Sequence, residues 1–181
     1  MFGLKGINIQ KQIRIVLTGV ESSGKTVLAQ ALAKHFNIPL IPEYAREYLS
    51  VKKTNYVQED LLEIAKGQLE SINSEKNKII ICDTDLQVIK IWSLVKYNSV
   101  DEKILELYKN NCASLYILCS PDFEWEFDEL RENKFDRNKI HAMYLDELNA
   151  NNLNYIEASG TLEERKDFCV DCISNQFSAY I

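Results

Sequence analysis

The segment Gly19-Val20-Glu21-Ser22-Ser23-Gly24-Lys25-Thr26 constrains this chain more than any other feature. It fits the spacing G-x-x-x-x-G-K-S/T of a phosphate-binding loop, the P-loop. The spacing follows from what a polyphosphate needs. The glycines let the backbone wrap around an anion, so that several N–H groups point inward. A helix starting at the loop's end aims its positive dipole at the same anion. Lys25 then reaches the β- and γ-phosphates, and the Thr26 hydroxyl can ligate Mg²⁺. The flanks fit: Gln12–Thr18 is an apolar strand, and Leu28, Leu32 and Phe36 recur every four residues, which predicts a helix over Lys25–Phe36. Gly19, Glu21, Ser22, Ser23, Gly24, Lys25 and Thr26 are therefore expected to bind ATP.

Strand-like runs and helix-period segments alternate along the rest of the chain, the pattern of an α/β fold with a mainly parallel sheet. Further strands are expected at Ile38–Ile41, Lys78–Cys82, Ser114–Cys119 and Asn154–Glu157. Helices are expected at Tyr56–Asn77, Leu86–Lys96, from a Ser99/Glu102 capping box to Tyr108, at Arg137–Asn149, and from a Thr161/Glu164 capping box to Phe177. The prediction is a P-loop fold, a five-stranded sheet flanked by helices, in one domain over residues 1–181 with a lid over about 121–140. No run approaches the ~20 apolar residues of a membrane span. The N-terminal stretch lacks the apolar core of a signal peptide. A net charge of −6 argues against a broad nucleic-acid or membrane surface. Five cysteines without framework spacing favour a reducing cytoplasm.

In open α/β sheets, ligands sit beyond the carboxyl ends of the strands. Ile79-Ile80-Ile81-Cys82-Asp83 resembles a Walker B strand, with Asp83 placed to hold Mg²⁺. Asp85 can cap the following helix or contact substrate. Glu43, after the second strand, is expected to orient an acceptor hydroxyl and accept its proton. Tyr44 and Arg46 lie beside it. Asp122-Phe123-Glu124-Trp125-Glu126-Phe127-Asp128-Glu129 packs five carboxylates and three aromatics into eight residues of the lid. Carboxylates repel phosphates, so this segment suits a cationic acceptor, on which Trp125 could stack. Asp128 belongs to the same acidic surface, and Arg131 and Arg137 are placed to offset charge on the transferring phosphoryl group. Cys169-Val170-Asp171-Cys172 reads as core packing rather than a zinc or redox site. His35 ends a helix, and His141, near the lid, stays open between structural and functional roles.

The set GVESSGKT, EYAREYL, CDTD and the D-x-x-R of Asp128 and Arg131 resembles the ribosylnicotinamide kinase domain of NadR-type proteins, from about Ile13 to Phe177. The resemblance implies transfer of the ATP γ-phosphoryl group to the 5′-hydroxyl of nicotinamide riboside, giving nicotinamide mononucleotide. It implies that Gly19, Gly24, Lys25 and Thr26 form the ATP site, with Mg²⁺ at Thr26 and Asp83. Trp92, on the helix after Asp85, is a second aromatic, open between stacking on the pyridinium and packing in the core. NadR-type proteins usually fuse this domain to an adenylyltransferase and sometimes to a DNA-binding domain, and 181 residues hold neither. A stand-alone kinase without DNA binding is therefore expected. The alternatives are a nucleotide-binding regulatory module or ATPase, and a kinase for another nucleoside or small alcohol.

Overall fold

A computed structural model describes residues 12–52, 55–128 and 131–181. Residues 1–11 and Glu129, both used in the sequence reading, lie outside these. Strand β1 (Ile13–Thr18) leads into helix α1 (Lys25–Phe36), then β2 (Leu40–Ile41), α2 (Tyr44–Lys52), α3 (Gln58–Ser74), β3 (Ile79–Asp83), α4 (Leu86–Tyr97), α5 (Glu102–Asn110), β4 (Leu115–Cys119), α6 (Arg137–Ala150), β5 (Tyr155–Ala158) and α7 (Leu162–Phe177). The five strands form one sheet in the order β2-β3-β1-β4-β5, with every neighbouring pair parallel. This is the P-loop α/β architecture expected.

The alternation of side chains along β1 divides the core. Ile13, Ile15 and Leu17 pack with Leu28 and Leu32 of α1 and Ile173 of α7 on one face. Val16 joins Ile80, Cys82 and Tyr116, with Ile72 of α3, Ile91 of α4 and Ile140 of α6, on the other. β3 and β4 are buried at every position, as apolar strands covered on both faces must be. An outer cluster, including Ala45, Leu61, Ile64 and Ile104, packs α2 and α5 onto α3 and α4.

Three differences from the sequence reading have local causes. Helix α2 was not expected, because its apolar face, Tyr44, Ala45, Tyr48 and Leu49, spans little more than a turn and only Ala45 is fully buried. The helix predicted from Tyr56 starts at Gln58, and Asp60 reaches back to accept the Val57 N–H at 2.7 Å. The Ser99/Glu102 capping box does not form; Asp101 caps α5 instead, accepting the Lys103 N–H at 2.8 Å. The Thr161/Glu164 box does form, with each side chain accepting the other residue's backbone N–H.

Gly67 sets how α2 lies on α3. A methyl group there would sit 2.0 Å from Cε1 of Tyr44, the first residue of α2. Alanine gains ~1 kcal/mol of helix propensity over glycine, but overpacking against a fixed ring costs ~1–3 kcal/mol. Gly67→Ala is thus expected to lower stability in urea titrations by about 1 kcal/mol. In a Tyr44→Ala background the same change should stabilise. A stabilising effect with Tyr44 intact would contradict this packing.

Candidate active site

A cavity of about 460 Å³ opens beyond the carboxyl ends of the strands. The phosphate loop, Glu43 and Arg46 after β2, and Phe123, Glu124, Glu126, Arg131, Glu132 and Asn133 line one part of it, with Val88, Ile91, Trp92 and Val95 of α4 and Ile140 and Tyr144 of α6.

The loop's shape is set by steric exclusion at its two glycines. Gly19 has φ +124°, and a Cβ there would lie 2.8 Å from the Cys119 carbonyl oxygen. Gly24 has φ +80°, and a Cβ would lie 2.7 Å from the Phe123 ring. Gly24 precedes α1 with no side-chain cap, so the first N–H groups of the helix are left for an anion. Lys25 Nζ donates to Gly19 O at 2.9 Å and Val20 O at 2.8 Å, which keeps the ammonium at the loop mouth. The Thr26 side chain is exposed at the cavity wall.

Two guanidinium groups hold the loop from outside. Arg137 donates to Glu21 O (3.3 Å), Ser22 O (2.9 Å) and Phe123 O (2.7 Å). Arg165 donates to Ser23 O (2.8 Å), Ser120 O (3.0 Å) and Gly160 O (2.9 Å), and pairs with Asp122 at 3.0 Å. Arg165 is 1% exposed and stacks on Phe123. Sequence reasoning missed it: an arginine in the first turns of an amphipathic helix reads as surface. Arg137 opens α6 as expected, but its donors are engaged by loop carbonyls and it does not line the cavity. Arg131 does, with its Nη1 on Glu126 O at 2.8 Å.

The turn after β3 separates its two acids. Thr84 lies between them at φ +75°, a strained conformation for a β-branched residue, costing about 1–3 kcal/mol. Asp83 is 3% exposed, and its Oδ1 has no hydrogen-bond partner. Asp85 caps α4, accepting the Gln87 N–H at 2.9 Å and the Tyr116 hydroxyl at 2.9 Å. Burial pushes its carboxyl up to about 6 despite these bonds. Asp85 does not line the cavity, so of its two expected roles the geometry is that of the cap.

Glu43 does line the cavity, half-buried, with Arg46 Nε at 3.3 Å. Burial raises its pKa, Asp83 reinforces that, and Lys25 and Arg46 oppose it. Arg46 also reaches Asp128 at 3.0 Å, which is where that acid is engaged. Tyr44 packs against Gly67 and Tyr48 instead of facing the cavity.

Glu21 ties the phosphate loop to the stretch between β4 and α6. Its carboxylate accepts the Trp125 indole N–H (3.0 Å) and the backbone N–H of Glu132 (3.0 Å) and Asn133 (2.7 Å). Trp125 is therefore turned to the phosphate loop, beside Phe127 and Lys134, and does not line the cavity. Trp92 does: its Nε1 donates to Tyr56 at 2.8 Å. Glu132, Tyr56, Tyr144 and Val88 were not singled out in sequence, because tertiary packing alone gathers them. Cys169, on the inner face of α7, is buried in the core while Cys172 is only partly buried, and His141 pairs with Glu157 at 2.9 Å away from the cavity wall. Among the described residues, no helix is long and apolar enough to cross a membrane.

A family model described as an AAA domain matches residues 14–165, and the chain belongs to that family. It is 27% identical over 152 residues to the trifunctional NAD biosynthesis/regulator protein NadR of Escherichia coli strain K12, covering 78% of this chain and 37% of that protein. NadR of Salmonella typhimurium matches at the same identity and coverage. This chain thus spans well under half the length of these relatives. A solved structure of NadR protein in complex with NR superimposes with a TM-score of 0.79 at 22% identity, covering 91% of this chain and 51% of that one. Thymidylate kinase from Candida albicans has a TM-score of 0.63 at 16% identity, covering 92% of each chain. The resemblance drawn from the loop, EYAREYL and CDTD motifs is borne out.

Replacing Arg165 tests the loop clamp. Arg165→Met strips donors from three backbone carbonyls, each worth ~1 kcal/mol. The expected loss is about 3 kcal/mol in urea titration, together with weaker binding of a fluorescent ATP analogue. Unchanged nucleotide affinity would show that Arg165 does not shape the loop.

Proposed function

We propose that this chain is an ATP-dependent kinase that phosphorylates the 5′-hydroxyl of nicotinamide riboside, giving nicotinamide mononucleotide and ADP. The observation that carries this reading is one cavity lined by both the phosphate loop and the half-buried carboxylate of Glu43. The similarity to NadR, seen in complex with NR, supports the acceptor. So does the charge of the cavity. Among the described residues, five glutamates line it (Glu21, Glu43, Glu124, Glu126 and Glu132) against Lys25, Arg46 and Arg131. An excess of carboxylates suits a cationic pyridinium and disfavours an anionic acceptor.

Each group has a role in the transfer. The loop N–H groups and Lys25 bind the triphosphate. The acceptor's 5′-oxygen forms a bond to the γ-phosphorus as the bond to the β–γ bridging oxygen breaks, and ADP leaves. The hydroxyl proton passes to Glu43, whose raised pKa makes it a better base than an ordinary carboxylate. Arg131, on the cavity wall, is the cation placed to offset charge on the phosphoryl oxygens. The unpartnered buried oxygen of Asp83 and the exposed hydroxyl of Thr26 suit a hard divalent cation. Mg²⁺ held there would neutralise the charge that builds up on the β- and γ-phosphates. Arg137 acts through the loop carbonyls. Trp92 and the α4 side chains form the acceptor wall.

Glu43→Gln keeps the shape and removes the base. It should cut nicotinamide mononucleotide formation by about 10²–10⁴-fold while ATP affinity holds. Wild-type turnover should fall as pH drops through the raised Glu43 value, because the protonated carboxyl cannot accept the hydroxyl proton. Full turnover by the variant would remove Glu43 from the chemistry.

A further inference from the structure

The wall that holds Trp92 is tied to the phosphate loop through one residue between β4 and α6. The Trp92 indole N–H donates to the Tyr56 hydroxyl at 2.8 Å, and that hydroxyl donates to Glu132 Oε2 at 2.9 Å. Glu132 Oε1 takes Lys96 at 2.7 Å, and the same ammonium lies 3.6 Å from the centre of the Tyr56 ring. Tyr56 and Trp92 meet edge to face, with centroids 4.9 Å apart. The backbone N–H of Glu132 donates to Glu21, a residue of the phosphate loop, at 3.0 Å. The path runs without a gap from the loop's carboxylate to the indole in the acceptor wall.

We propose that Glu132 is a positioning residue that couples the two ends of the cavity, so that a triphosphate on the loop tightens binding of the planar acceptor against Trp92. This rests on the assignment of the cavity's ends made above. The Lys96–Glu132 pair is too exposed, with Glu132 43% open, to matter much for stability. Its effect is directional. An indole has one N–H, so its partner fixes the edge of the ring. Tyr56 can accept that N–H and still donate its own proton because Glu132 takes the proton. The sign of the coupling follows from Arg131. It lines the cavity next to Glu132, and triphosphate charge attracts it, which holds residues 131–133 against the loop. By reciprocity, whatever ATP does for acceptor affinity the acceptor does for ATP affinity.

The test is calorimetric titration of nicotinamide riboside into the full chain with Mg²⁺, with and without AMP-PNP. Wild type should bind the riboside about fivefold or more tightly when the analogue is present. Glu132→Leu, which removes the acceptor for the Tyr56 hydroxyl, and, separately, Tyr56→Phe should bring that ratio to about one. A merely structural role would lower the melting temperature and leave the ratio intact. A wild-type ratio of one, or a ratio preserved in either variant, overturns the inference. Should wild type not bind the riboside, the proposed acceptor fails, and a second readout decides the coupling. The chain has two tryptophans, so Trp125→Phe leaves Trp92 as sole reporter, with both Glu21–amide bonds retained. AMP-PNP should shift its emission, and adding Glu132→Leu should abolish the shift. An equal shift in both overturns the inference.

Discussion

The backbone shape of residues 19–24 is the constraint on which the rest depends. An anion cradle works only if several N–H groups stay turned inward while their carbonyls turn out, and outward carbonyls need donors. This protein supplies them with three cationic side chains. Lys25 takes the carbonyls of Gly19 and Val20, Arg137 those of Glu21 and Ser22, and Arg165 that of Ser23. Every loop carbonyl from 19 to 23 thus meets a cation. The glycines at either end are needed for a different reason: β4 and Phe123 leave no room for a Cβ.

The same contacts join the loop to its surroundings. Arg165 draws in the end of β4 and the β5–α7 connection, and Arg137 draws in the segment after β4 through Phe123. Glu21 then reaches over to hold Glu132 and Asn133 by their backbone N–H groups. The strained Thr84 serves the other side of the site. It sends Asp83 and Asp85 apart, leaving one acid with an unpartnered oxygen and the other capping α4, the helix that presents Trp92.

Much of this was legible in the sequence, for identifiable reasons. The phosphate loop has a fixed spacing, and its strand and helix carry strong periodicity, so β1, α1 and the loop between them were read correctly in position. β3 with Asp83 was readable as an apolar run ending in an acid. Helix α2 was not, since it fully buries a single residue. The roles of Arg165, Glu132 and Tyr56 depend on partners 36 to 142 residues away, a separation that no local pattern encodes. Trp125 misled for the same reason: a lid tryptophan beside acids looks like a stacking platform, and only the fold reveals that its N–H is taken by Glu21.

The central claim is that a triphosphate and a cationic nucleoside share this one cavity and exchange a phosphoryl group. The most direct test is product analysis of the protein with ATP and Mg²⁺ against nicotinamide riboside, uridine, cytidine and thymidine, with a control lacking acceptor. The protein should give nicotinamide mononucleotide from the first and no mononucleotide from the others. ATP consumed without any acceptor product, or phosphorylation of a neutral nucleoside in place of the riboside, would contradict it.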